Sequence, residues 1–203
     1  MPDSSDPYTY PGTDVLRNIL DIHDPRQLGA FEANATAARL IELDAAPLAG
    51  QFDPTHLKAI HRHIFQDVYP WAGEFRTVNI AKGGQLFGAA AFVEPALQEV
   101  LRKLPGERYL RGSDPHAFAM RAGYYMGEIN AIHPFRDGNG RAQREFIREL
   151  AIRAGFAIDW SRVTREKMTA VSIESFRTGV SSGMAALIEL SMRERSRDRK
   201  GAD

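Results

Sequence analysis

The sequence contains no cysteine, which excludes disulfides, thiolate metal sites and thiol nucleophiles. It has no surplus of either charge, since Lys plus Arg and Asp plus Glu each number 26. Without a net field, direct nucleic-acid binding or attachment to an anionic membrane is not expected. No uncharged apolar run approaches the roughly 20 residues that a membrane span requires. The opening Met1–Gly12 is polar and rich in Pro, Asp and Ser, unlike a signal peptide. The expected compartment is therefore the cytoplasm, although an export signal read by a dedicated machine would leave no such mark. Internal repeats and a dividing linker are also missing. What remains is ordinary: 203 residues, 43% hydrophobic and 26% charged, enough for one sizeable core.

Most segments read as helix. Asp53-Pro54 and Asp114-Pro115 each set a capping carboxylate before a proline at the first helical position. After Pro115, Phe118, Ala122, Tyr125, Met126 and Ile129 recur close to a helical stripe. A further helix is predicted from about Gly140 to Ala154, stopped by Gly155, with Phe146, Ile147, Leu150 and Ala151 inward. Others are expected at about 26–44, 54–67, 94–104, 164–177 and 180–194. The one β-like passage runs from Arg76 to Phe87, where Thr-Val-Asn-Ile and Gln-Leu-Phe flank the turn Lys82-Gly83-Gly84. The expected architecture is mainly α, a single domain over 13–192 with a small β-hairpin at about 76–90. Residues 1–12 are expected to be flexible, and 193–203, of mixed charge without periodicity, disordered.

The chemistry concentrates in Ile132-His133-Pro134-Phe135-Arg136-Asp137-Gly138-Asn139-Gly140-Arg141-Ala142-Gln143-Arg144. One helix ends before this stretch and another begins inside it. Gly138 and Gly140 let the backbone turn sharply and approach a ligand. The start of the second helix leaves outward-facing N–H groups that suit an anion. Arg141 and Arg144 lie in its first turn, on one face. Cations there oppose the helix dipole by about 0.3–1 kcal/mol each, and a bound polyphosphate would reverse that cost. Asp137 beside such a site makes sense as a ligand for Mg²⁺, which takes one or two carboxylates and completes its shell with phosphate and water. His133 stands where a base would be wanted. Each piece has an ordinary structural explanation alone; in this order and spacing, packing does not account for them. His61 and His63, two apart on a helix, do not share a face and read as surface or loosely packed residues rather than a metal pair.

This stretch resembles the Fic signature, His-Pro-Phe-x-Asp/Glu-Gly-Asn-Gly-Arg-x-x-Arg, at every fixed position. Tyr69-Pro-Trp-Ala-Gly-Glu-Phe-Arg-Thr-Val-Asn-Ile-Ala-Lys-Gly-Gly-Gln-Leu-Phe87 is similar to the family's target-binding flap and its approach. The likeness extends over about residues 7–190. The opening, from Asp6-Pro7-Tyr8 to Arg17-Asn18, resembles the stand-alone bacterial FicT toxins.

The resemblance implies a Fic fold and a protein adenylyltransferase, with ATP as co-substrate and Mg²⁺ as cofactor. His133 would be the general base that deprotonates a Tyr, Thr or Ser hydroxyl of a target protein. Asp137 would hold Mg²⁺ across the α- and β-phosphates. Gly138, Asn139 and Gly140 would form the anion hole, with the Asn139 side chain on the α-phosphate. Arg141 would take the β-phosphate and Arg144 the γ-phosphate. Ile80, Lys82, Gly83, Gly84 and Phe87 belong to the flap, whose backbone would accept an extended target segment as an added strand. In the Doc branch, which transfers phosphate, a lysine stands where Gly140 is, so Gly140 favours AMP transfer. Alternatives are Doc-like phosphotransfer, transfer of UMP or another group, and a non-catalytic binding module. The family's inhibitory motif, Ser/Thr-x-x-x-Glu-Gly/Asn, is found nowhere in the chain. Its absence suggests a separate small antitoxin carrying that helix, and likeness to the stand-alone toxins suggests type II topoisomerase subunits as targets.

Overall fold

The computed structural model describes residues 6–194. Among the described residues the elements are eight α-helices, three short 3₁₀ turns and four short strands. Contacts divide the chain into two compact units. One comprises the chain up to Leu101 with Ile132–Phe146, and the other Arg102–Ala131 with the chain from Ile147. The sequence offers no linker to mark this division because the chain leaves the first unit and later returns to it.

In the first unit, α1 (Pro25–Ala45) and α2 (Pro54–Phe65) both start with proline behind an aspartate cap. Asp24 accepts from the Arg26 and Gln27 N–H groups, and Asp53 from that of His56. These bonds satisfy donors that a helix start leaves open. The core combines Leu43 of α1, Leu57, Ile60, Ile64 and Phe65 of α2, and Leu97 and Leu101 of α3 (Val93–Leu101) with Phe135 and Phe146. The predicted hairpin is present but shorter than expected. β1 (Ala81–Lys82) and β2 (Gln85–Leu86) pair antiparallel, joined at Gly83 and Gly84, whose positive φ of 58° and 78° fits a tight hairpin turn. Thr77–Ile80 is not strand. One further backbone bond, from the Phe87 N–H to the Ile80 carbonyl at 3.1 Å, extends the pairing.

In the second unit, α4 spans Lys103–Gly106 and α5 (Pro115–Ile132) begins behind Asp114, whose side chain accepts from the Ala117 N–H. Its stripe residues Phe118, Ala122, Tyr125, Met126 and Ile129 are buried as the periodicity predicts. α7 (Arg165–Thr178) ends on Gly179 at φ 70°, and α8 spans Ser182–Ser191. A Cβ on Gly123 would lie 2.7 Å from the Ala185 backbone nitrogen, so α5 and α8 approach too closely there for any side chain. α6 (Asn139–Ala154) runs from the first unit into the second and stops at Gly155, φ 102°.

Two boundaries differ from the sequence reading. Residues 6–12, expected to be flexible, are anchored. Tyr8 is buried, its hydroxyl accepts from the Thr77 N–H at 3.1 Å, and Thr9 bridges to Leu16. An aromatic residue with a polar tip explains this, because it buries a ring and still finds a partner. The tail expected from 193 begins with strand instead. Arg193 and Glu194 belong to β4 (Met192–Glu194), which pairs antiparallel with β3 (Phe156–Ile158). Three-residue strands show no readable alternation, so this second sheet left no signal. Residues 1–5 and 195–203 lie outside the described residues.

Candidate functional site

All the signature residues through Arg144 fall in the first unit, and local geometry explains their order. His133 follows the end of α5 with φ 50°, a left-handed conformation that few residues other than glycine adopt. Such strain persists only where the surroundings enforce it. Arg76 is the enforcer. This guanidinium is 2% exposed and donates to the carbonyls of His133 (2.8 Å), Ile132 (3.2 Å), Val78 (2.8 Å) and Gly88. Its own backbone N–H donates to Pro134 at 2.9 Å. Burial lowers its pKa, and among the described residues it faces no carboxylate. Arg76 thus joins both ends of the hairpin segment to the loop that carries His133. Phe87 completes the link by stacking on the imidazole, with centroids 3.9 Å apart and planes 16° from parallel.

The loop is closed by Asn139. Its side-chain oxygen accepts from the Phe135 N–H, and its amide donates to the Phe135 carbonyl, both at 2.8 Å. The sequence reading aimed that side chain at a phosphate; in the fold it also has a structural task. The amide imitates a backbone unit and commits one donor and one acceptor to holding the turn. Phe135 is fully buried, as expected for the loop's anchor.

His61 corrects an expectation. It is fully buried, stacked on Phe135 at 3.8 Å and on Phe65 at 4.6 Å. The Gly73 N–H donates to its Nδ1 at 2.9 Å, so Nε2 carries the proton and donates to the Asp137 carbonyl at 3.0 Å. Burial brings its pKa down to about 4. His61 is a neutral strut beneath the signature loop. The helical stripe Leu57, Ile60, His61, Ile64, Phe65 could have revealed it.

The two loop glycines have different reasons. Gly138 has φ 78°, and a Cβ there would stand 2.3 Å from Phe65 Cζ. Gly140 is helical and needs no special backbone; a Cβ would lie 3.3 Å from Arg144 Nη1, so its smallness leaves room for that guanidinium. The Gly138 carbonyl accepts from the Arg141 and Ala142 N–H groups, which makes it the first acceptor of α6. The Asn139 and Gly140 N–H groups ahead of these lie in the first turn of α6, where intrahelical acceptors are lacking, at the positive end of the helix dipole. Arg144 is part-buried, and burial, then the charge of Arg141, lowers its pKa. Two guanidinium groups near the positive end of a helix make a setting that suits an anionic ligand.

Asp137 is exposed beside this helix start, with Oδ1 accepting from the Gly138 N–H at 2.5 Å. Among the described residues no group of three or more His, Cys, Asp or Glu could cage a metal. One carboxylate oxygen beside an anion site fits Mg²⁺, which draws most of its ligands from phosphate and water. It does not fit zinc. In the hairpin, Gly83, Gly84 and the Ile80 and Lys82 backbones form the pairing described above, and Leu86 is exposed.

Glu32, Thr36 and Tyr69 were not foreseen. Arg141 Nη2 donates to Glu32 Oε1 at 2.6 Å and Nη1 to Thr36 Oγ1 at 3.2 Å. The guanidinium also lies 4.5 Å over the Phe65 ring. The Tyr69 hydroxyl donates to the other Glu32 oxygen, and burial followed by that bond raises the Tyr69 pKa.

Comparison with known proteins places the chain in a family. Residues 51–151 match the Fic/DOC family. The chain is 47% identical over 191 residues to Protein adenylyltransferase VbhT of Bartonella schoenbuchensis. That match spans 94% of this chain but only 40% of VbhT. It is 36% identical over 189 residues to "Probable protein adenylyltransferase Fic" of Salmonella typhimurium, covering 93% of each. Among solved structures, the BepC effector of Bartonella tribocorum with bound AMPPNP is similar at a TM-score of 0.85 and 27% identity, covering 93% of this chain and 97% of that one. No helix among the described residues is long and apolar enough to cross a membrane.

Proposed function

The chain belongs to the Fic/DOC family, and from that premise we propose that it is a protein adenylyltransferase acting on a Tyr, Thr or Ser hydroxyl of a target protein. The observation that carries the reading is the placement of His133. Arg76 holds its backbone at φ 50° in the loop that opens into the anion-binding start of α6. ATP lies with its phosphates over the Asn139 and Gly140 N–H groups, the β-phosphate on Arg141 and the γ-phosphate on Arg144. The target hydroxyl oxygen attacks the α-phosphorus, its proton passes to His133, and the bond from the α-phosphorus to the oxygen bridging to the β-phosphate breaks. Pyrophosphate leaves. Asp137 would hold Mg²⁺, which supplies charge neutralisation on the phosphates. Orientation and electrostatics of this kind provide most of the acceleration in such transfers. The target strand docks beside the hairpin from Ile80 to Phe87.

Gly140 favours this reading over Doc-like phosphotransfer, because the helix start leaves its backbone open where a lysine side chain would intrude. The test is transfer from ATP labelled at the α- or γ-phosphate. Adenylyl transfer labels the target from the α-position only, phosphotransfer from the γ-position only. Turnover with UTP and not ATP would identify a UMP donor, and no labelling from any nucleotide would leave a binding module. Mass spectrometry of a treated lysate should find a peptide that gains one adenylate, with type II topoisomerase subunits as the proposed targets and the cytoplasm as the proposed compartment. Because the chain lacks the Ser/Thr-x-x-x-Glu-Gly/Asn sequence, we assign restraint to a separate small antitoxin bearing it. Coexpression with such a partner should suppress the labelling.

A further inference from the structure

We propose that Glu32 is a positioning residue for the nucleotide's phosphate tail, acting through Arg141; the proposal rests on the adenylyltransferase reading. Arg141 stands near the start of α6, where its charge is opposed by the helix dipole and by Arg144 one turn on. Left to itself, a flexible arginine there would swing into solvent. Instead it is fixed on three sides: by Glu32 at 2.6 Å, by Thr36 at 3.2 Å, and by the Phe65 ring beneath it.

The fixing groups are themselves fixed. The Thr36 hydroxyl donates to the Glu32 backbone carbonyl at 2.8 Å, so its lone pair is turned toward Arg141. The Tyr69 hydroxyl holds Glu32 Oε2. Glu32 consequently offers Arg141 one oxygen rather than the two-pronged grip of which a carboxylate is capable. Of the five N–H groups of a guanidinium, these bonds use two. The other three have no acceptor among the described residues, and the Arg141 side chain is 24% exposed. A purely structural ion pair would favour the two-pronged grip; this arrangement orients the cation and leaves an edge open for an anion.

The test is calorimetric binding of ATP and of AMP, with Mg²⁺, to the full chain and to Glu32→Ala, Glu32→Gln and Arg141→Ala. AMP lacks the β-phosphate that Arg141 would meet. Glu32→Ala should weaken ATP about tenfold or more, the worth of one charge-assisted hydrogen bond, while AMP affinity changes less than about twofold. Glu32→Gln should restore most of the loss, because its amide oxygen still accepts from Arg141 and its NH₂ can donate to the Tyr69 oxygen. Glu32→Ala combined with Arg141→Ala should bind ATP no more weakly than Arg141→Ala alone. Equal losses for ATP and AMP, or ATP binding by Glu32→Ala at the level of the unmutated chain while Arg141→Ala is impaired, would overturn the positioning role. Failure of the unmutated chain to bind ATP would overturn the functional reading beneath it, and that outcome is distinct.

Discussion

Gly138→Ala is expected to be severe, and the structure says how severe. At φ 78° an alanine adopts the left-handed region at a cost of about 1–2 kcal/mol. Its Cβ would be built 2.3 Å from Phe65 Cζ and 3.1 Å from His61 Nε2. Neither neighbour can yield cheaply: both are fully buried and stacked in one aromatic cluster, and His61 is tied to Gly73 and Asp137. Overpacking of this kind adds about 1–3 kcal/mol, for a total of roughly 2–5 kcal/mol. In a chain of this size the melting temperature should drop by roughly 4–20 °C, read by circular dichroism, with a matching fall in the urea midpoint at constant slope. Gly140→Ala is the internal control. That position is helical, so alanine gains up to about 1 kcal/mol in propensity, and its Cβ meets only the end of the Arg144 side chain at 3.3 Å. It should melt at or above the unmutated temperature while binding ATP more weakly. If the two variants melted within a degree or two of each other, the distinction between a conformational and a spatial glycine would be wrong.

His133→Ala should reduce adenylyl transfer by about 10²–10⁴-fold and cost only about 0.5–1.5 kcal/mol for the lost Phe87 stack, as measured by label incorporation and urea denaturation. Arg76→Lys keeps the charge but replaces a five-donor fork by three donors on one nitrogen. At least one of four backbone carbonyls loses its partner, costing about 1.5–3 kcal/mol, and turnover should fall more than ATP affinity does. Stability should also depend on pH through His61, whose pKa is about 4 in the fold against 6.5 for an ordinary histidine. Protonation favours the unfolded chain between those values, so stability present above about 6.5 declines as pH falls toward about 4 and levels off below, by about 3 kcal/mol in all. In urea titrations across that range, His61→Gln should show a correspondingly smaller decline.

The contrast between what the sequence disclosed and what it hid follows from chain distance. The signature from His133 to Arg144 is contiguous, so its loop, glycines and arginine pair could be read as one object. The capped helix starts at Asp53 and Asp114 were legible for the same reason. The residues that make the signature work arrive from elsewhere: Glu32 from α1, His61 from α2, Arg76 from the approach to the hairpin. Their partners lie 109, 76 and 57 positions away. No periodicity carries such a pairing, and each residue type is ordinarily a solvated one. Only His61 left a trace, on the apolar stripe of α2. Asn139 hid something else: the sequence shows a polar side chain in the motif, and only the fold shows that it ties the turn at Phe135. A contiguous signature can thus be read from the sequence, and the supports that hold its residues in place have to be found in the fold. Arg76 makes the point most sharply: a buried cation with no carboxylate against it among the described residues is tolerable because four carbonyls converge on it, and that convergence joins the hairpin segment to the loop that bears His133.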